Sequence, residues 1–152
     1  MLEEGDKAPA IKVTTTAGND IRLDAPGAPL VVYFYPKDMT PGCTTEAIDF
    51  SEHLAEFEAE GARVIGVSRD SEERHEKFIA KHDLTVPLVS DEDGKVSDGF
   101  GTWGEKQMYG KKFMGMHRAT FLLDRNGKIV RAWPKVRVKG HVEEVLDAVK
   151  AL

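Results

Sequence analysis

An α/β fold with a mixed central sheet is what this sequence predicts, on three observations. Two continuous apolar runs, Leu30–Tyr35 and Arg63–Ser68, are each followed by a segment with helical spacing. Two later runs, Arg118–Leu123 and Lys128–Trp133, flank Asp124-Arg125-Asn126-Gly127, whose Asn-Gly pair marks a hairpin. The last residues then carry the pattern of an amphipathic helix. Spacing alone leaves a thioredoxin-like and a flavodoxin-like sheet both open.

Each element has its own reason. Ala10–Val13 and Ile21–Leu23 flank Ala17-Gly18-Asn19-Asp20, a short N-terminal β-hairpin. Pro26–Pro29 is a loop. Leu30–Tyr35 is apolar on both faces and rich in β-branched and aromatic residues, as a fully buried strand requires. Pro36 ends it, because proline has no N–H to donate. Thr44–Glu60 reads as a helix with Ala47, Phe50, Leu54 and Phe57 at helical spacing, and Gly61 supplies the stop. Arg63–Ser68 is a second buried strand. Asp70-Ser71-Glu72-Glu73 resembles a capping box that opens a helix with Phe78, Ile79 and His82 along one face and His75 at its edge. Val86–Ser90 is a short strand, followed by an Asp91–Gly94 turn. The final helix buries Val142, Val145, Leu146, Val149 and Leu152. The chain shows no internal repeat, and 152 residues suit one domain spanning 1–152.

Composition excludes several classes. With 41% apolar and 31% charged residues the chain can bury a core, so disorder is not expected. No apolar stretch approaches the roughly 20 residues of a membrane span. Met1–Asp6 is acidic and lacks an apolar region, so no secretory signal is read. A single cysteine excludes an internal disulfide, and a reducing cytoplasmic setting is the expectation. Net charge is −5, unevenly spread: Glu105–Gly140 holds ten Lys/Arg against two acids. That stretch is either a solvated face or a field that holds a thiolate or steers an acidic partner. Nucleic-acid binding would need aromatic interleaving or a known motif, and neither is present.

The chemistry centres on Cys43, where the first buried strand gives way to a helix. A helix start offers unpaired N–H groups and partial positive charge, which favour thiolate over thiol. Its neighbours Pro41, Gly42, Thr44 and Thr45 are turn and cap residues, with Thr40 and Thr44 placed to cap the helix. Spacing removes several cysteine chemistries. A dithiol motif needs a second cysteine at position 46, which is Glu46; a phosphatase cradle needs an arginine at position 49, which is Asp49. The common cysteine-protease signatures are missing, and the five histidines form no i, i+4 metal pair. Attack on a peroxide oxygen survives. It needs a thiolate, donors that align the two oxygens, and positive charge where the leaving oxygen becomes anionic. A threonine hydroxyl, helix-start N–H groups and an arginine would supply these.

Tyr35–Glu46 resembles the peroxidatic-cysteine loop of peroxiredoxins, P-x-x-x-T-x-x-C, in the form found in the bacterioferritin comigratory protein (PrxQ) subfamily. Gly5–Pro9, Phe100–Lys106 and Met108–Asp124 are similar to the same subfamily. The resemblance implies a thioredoxin-like fold and thiol-dependent reduction of hydrogen peroxide and organic hydroperoxides, with no metal, haem or nucleotide cofactor. It makes Cys43 the attacking sulfur, Thr40 the hydroxyl that holds peroxide and thiolate, Pro36 the shield of the pocket, and Arg118 the cation that orients the sulfur. Gly42, Thr44 and Glu46 complete the substrate-binding loop. Subfamily members carry a resolving cysteine five residues after the first or on the next helix; here Ile48 and Ile79 stand at those positions. A one-cysteine cycle is therefore expected, with an external thiol such as thioredoxin, glutaredoxin, glutathione or a small thiol as reductant. A monomer is favoured over a dimer. Met39, Phe113 and Met116 are expected to pack in the core, with a preference for alkyl peroxides as the other reading. A redox-sensing or chaperone-like protein, or a thiol oxidoreductase acting on mixed disulfides, stands as the alternative.

Overall fold

The computed structural model describes residues 1–152. The chain runs through β1 (Lys12–Thr14), β2 (Asp20–Arg22), β3 (Leu30–Phe34), α1 (Pro41–Ala59), β4 (Arg63–Ser68), α2 (Glu72–His82) and β5 (Leu88–Ser90). It continues through α3 (Lys95–Phe100), β6 (Trp103–Met108), β7 (Lys111–Met116), β8 (Ala119–Leu123), β9 (Ile129–Trp133) and α4 (His141–Lys150). Five strands form the central sheet in the order β5-β4-β3-β8-β9, with two separate two-stranded ribbons, β1-β2 and β6-β7. β3, β4 and β5 are parallel, and β8 and β9 run against them, so the sheet is mixed.

β3 is central, and its sequence explains why. All five residues are buried, and alternate side chains feed two cores. Val31 and Tyr33 point into one cluster with Phe50 and Phe57 of α1, Phe78 of α2 and Val142, Val145 and Val149 of α4. Leu30, Val32 and Phe34 point into the other, with Val13 and Ile21 of the N-terminal hairpin, Phe100 and Phe121. A strand covered on both faces has no use for a polar residue, hence the unbroken apolar run. β4 takes a glycine opposite Tyr33 for a steric reason. A Cβ at Gly66 would lie 2.5 Å from Tyr33 Cζ.

The structure corrects several expectations. α1 begins at Pro41, not Thr44, because proline at the first helical position lacks only an N–H that would be unpaired anyway. The cap of α2 is Ser71, which accepts from Arg74 N–H. With Arg74 at the third helical position there is no carboxylate to reach back, so the reciprocal half of the box does not form. His75 is wholly buried, not an edge residue. Leu152 lies beyond α4 and is 60% exposed. Met116 packs in the core as expected and Met39 packs partly against it, but Phe113 is exposed on the β6-β7 ribbon. That ribbon and α3 were not anticipated. No helix is long and apolar enough to cross a membrane.

Topology places the chemistry. β3 pairs in parallel with β4 and antiparallel with β8, with Phe34 opposite Ala119. The loop leaving the carboxyl end of β3 therefore meets the chain entering β8, and residues 75 apart in sequence become neighbours.

Candidate active site

Cys43 is the third residue of α1, after Pro41 and Gly42. At that position a backbone N–H has no acceptor inside the helix, so the thiol sits beside unpaired donors at the positive end of the dipole. The residue is 1% exposed and belongs to the larger core cluster. It is not surrounded by hydrocarbon alone, however. Arg118, just before β8, places Nη2 at 3.4 Å from Sγ, and its Nη1 donates to Glu46 Oε1 at 2.7 Å. Glu46 is one helical turn beyond Cys43, which puts carboxylate and sulfur on the same face of α1. The guanidinium thus bridges a sulfur and a carboxylate from one helix, a use of the planar fork that lysine could not reproduce.

Burial sets the electrostatics. Desolvation pushes the Glu46 carboxyl up to about 7, against the pull of Arg118. Its Oε2 has no hydrogen-bond partner. Burial likewise works against the charge on Arg118, but Glu46 and Cys43 outweigh it and hold the guanidinium above its usual range. The partners share the cost unequally because the Glu46 side chain is fully dry while that of Arg118 keeps 19% of its surface. Lys106 adds a second cation. It donates to Met116 carbonyl at 2.9 Å, and burial and the charge of Arg118 lower its pKa while Cys43 raises it. Of the ten basic residues between Glu105 and Gly140, eight are exposed, as a solvated face requires; Lys106 and Arg118 turn inward.

The other predicted residues lie in the loop after β3 and the first turns of α1. Thr40 is the N-cap of α1 with an extended backbone, but its side chain makes no cap bond; the hydroxyl donates instead to Lys37 carbonyl at 2.7 Å. Thr44 makes no side-chain cap either, and Thr45 Oγ1 donates back to Pro41 carbonyl. Pro36 follows β3 and is half-buried. Gly42 faces the guanidinium: a Cβ there would lie 3.1 Å from Arg118 Nη2. Glu46 lies behind Arg118 with no exposed surface. The largest surface cleft, about 500 Å³ between β1 and the β5–α3 turn, touches none of these residues. The site is a tight seam, not a cavity.

Residues 4–132 match the AhpC/TSA family. The chain belongs to it. It is 45% identical over 150 residues to peroxiredoxin Bcp of Bacillus subtilis, covering 98% of this chain and 96% of that one. It is 53% identical over 122 residues to peroxiredoxin Bcp of Xanthomonas campestris, covering 80% and 76%. The structure of the Xanthomonas campestris bacterioferritin comigratory protein, studied for its alkyl peroxide reduction activity in trapped-intermediate and ligand complexes, superimposes with a TM-score of 0.86. It is 46% identical over 96% of this chain and 98% of that one. The chain is thus a peroxiredoxin enzyme of the Bcp/PrxQ kind with the thioredoxin-like fold, acting on a peroxide with a thiol as reductant.

Sequence reasoning missed a second polar cluster beside the loop. Asp38, Asp70 and His75 bring their ligand-type atoms within 4.8 Å of one another. Both ring nitrogens of His75 are already engaged, one on Asp38 and one on Val89 carbonyl, so the cluster reads as a hydrogen-bonded network and not a metal cradle. The buried strand and the helical spacing gave no sign of it, because the three residues come from three separate segments.

Proposed function

We propose that Cys43 is the attacking sulfur and that the enzyme runs a one-cysteine cycle on hydrogen peroxide and alkyl hydroperoxides. The carrying observation is the Arg118 guanidinium on both Cys43 Sγ and Glu46 Oε1. The thiolate attacks the nearer peroxide oxygen, the O–O bond breaks, and the leaving oxide takes a proton to depart as water or an alcohol. Cys43 is left as sulfenic acid. Thr40 and the N–H groups of the first turn hold the peroxide in line, and Arg118 stabilises the charge that develops. Glu46 acts by fixing Arg118; Gly42 makes room for it; Pro36 and Thr44 shape the walls. An external thiol then condenses with the sulfenic acid, releasing water, and a second thiol releases Cys43 as a disulfide forms between the two reductants.

Two observations support the one-cysteine cycle. Cys43 is the only cysteine in the chain, and Ile48 and Ile79 pack partly buried against the core. The reduction of alkyl peroxides named for the Xanthomonas campestris protein supports that substrate class here. Thioredoxin, glutaredoxin, glutathione and small thiols are the candidate reductants.

Steady-state peroxide consumption with each reductant tests the reading. Many turnovers with at least one thiol, abolished in Cys43→Ser, are expected. Stoichiometric oxidation that stalls with every thiol would point to a redox sensor, and turnover of mixed disulfides without peroxide to a thiol oxidoreductase; either result overturns it.

A further inference from the structure

Asp38 lies five residues before Cys43, has no exposed surface, and uses every polar atom it has. Its Oδ1 accepts from the Tyr35 hydroxyl at 2.5 Å, and its Oδ2 lies 2.6 Å from His75 Nδ1. Its N–H donates to Asp70 Oδ2 at 2.9 Å, and its carbonyl accepts from Arg74 Nη2 at 3.1 Å. Asp70 is itself held by Ser68 Oγ at 2.6 Å and Arg74 Nε at 3.2 Å. His75 Nε2 donates to Val89 carbonyl at 3.0 Å. The residue after β3, the segment leaving β4 and the first turn of α2 therefore converge on this one loop residue, and β5 supports it through His75. Immediately after it, Met39 takes a left-handed backbone, φ 65°, a strained conformation for a non-glycine residue. Thr40 follows and turns its hydroxyl back to Lys37. The loop is gripped at Asp38 from one side and at Cys43 by Arg118 from the other.

We propose that Asp38, clamped by His75 and Asp70, is a positioning residue that holds the loop from Pro36 to Cys43 in its reactive shape. The inference rests on the reading of Cys43 as the attacking sulfur. A protonation requirement follows from the geometry. Val89 carbonyl can only accept, so His75 Nε2 carries a hydrogen. The 2.6 Å contact at Nδ1 then needs a second proton, shared with Asp38. Without it, two acceptors would face each other in a dry site. The groups facing the imidazole are Asp38, Asp70, Tyr35 and, on its own helix, Arg74. Burial works against the imidazolium, but the hydrogen bond and charge of Asp38 outweigh it and raise the pKa of His75. The clamp thus holds to higher pH than an ordinary imidazole would allow and loosens as pH rises through the raised value.

The test is single-turnover oxidation of Cys43 by hydrogen peroxide, followed by rapid mixing and mass spectrometry across pH, on the full chain. Asp38→Ala and His75→Ala should slow the peroxide step by about 10²-fold, the effect of a misplaced reacting group. Asp38→Asn can donate its amide to a neutral His75, so it should recover part of the lost rate and lose the alkaline decline expected of the wild type. A merely structural role would not move that decline. Folded Asp38→Ala with wild-type oxidation, or Asp38→Asn with the wild-type pH profile, overturns the proposal. If Asp38→Ala does not fold, the Asp38→Asn profile decides alone. Failure of Cys43 to oxidise in the wild type would instead overturn the reading on which this rests.

Discussion

Gly42 earns its place through Arg118 and not through its backbone. Its conformation is helical, and only the guanidinium crowds the position where a Cβ would stand, at 3.1 Å. Alanine there should favour the helix, by about 1 kcal/mol from propensity, while displacing Nη2 by a few tenths of an ångström. Gly42→Ala is therefore expected to keep or raise the melting temperature yet slow peroxide oxidation of Cys43 by roughly tenfold, the scale of one weakened transition-state contact. Calorimetry and single-turnover kinetics on one preparation check it; a parallel loss of stability and rate would show that the contact is structural only. At this scale the sequence was legible wherever a motif is local. Thr40, Gly42 and Cys43 fall within one turn, so their association could be read directly. The Arg118–Glu46 pair spans 72 residues, and only the β3–β8 register brings it together. Asp38 and His75 were invisible for the same reason.

Among the elements, β3 was the easiest to read and is the most constrained. Tyr33 stacks on Phe50 with centroids 4.4 Å apart and on Tyr35 at 5.6 Å, yet its hydroxyl has no partner in a dry core. The hydroxyl contributes desolvation cost and no bond, so Tyr33→Phe should keep both stacks and stabilise the protein by about 1 kcal/mol. Urea unfolding checks this; a lower midpoint would mean the hydroxyl is satisfied in solution. The elements that sequence reasoning missed lack the signals it relies on. β6 and β7 carry Glu105, Lys106, Gln107, Lys111 and Lys112 with no apolar alternation, because the ribbon stands off the core. Their turn is Tyr109-Gly110, both with positive φ, as a tight hairpin demands, but without the Asn-Gly pair that announces one. α3 has six residues between Gly94 and Gly101, too short for a period to show.

Across the whole molecule, two buried groups with opposite pH responses set stability in acid. His141, at the start of α4 with Nε2 2.8 Å from Thr120 Oγ1, is brought by burial from 6.5 to about 4. Between those values the unfolded chain binds a proton that the folded chain refuses, so stability rises with pH. Glu46 behaves in reverse. Its carboxyl is raised from 4.5 to about 7, so the folded chain keeps a proton that the unfolded chain has released, and stability present below 4.5 is lost as pH rises through 7. Each effect amounts to about 3 kcal/mol at most. They overlap between pH 4.5 and 6.5, where their slopes cancel; His75, raised from its ordinary value, contributes a loss only above 6.5. The wild type should therefore show nearly constant unfolding free energy across that window from this pair. Removing one partner exposes the other: Glu46→Gln should gain stability as pH rises from 4.5 to 6.5, and His141→Gln, which can keep the Thr120 bond, should lose it. Urea titrations at three pH values separate the curves, with Trp133 against the His141 ring as a local fluorescence probe. Three parallel curves would mean that neither group titrates in the folded state as its burial requires.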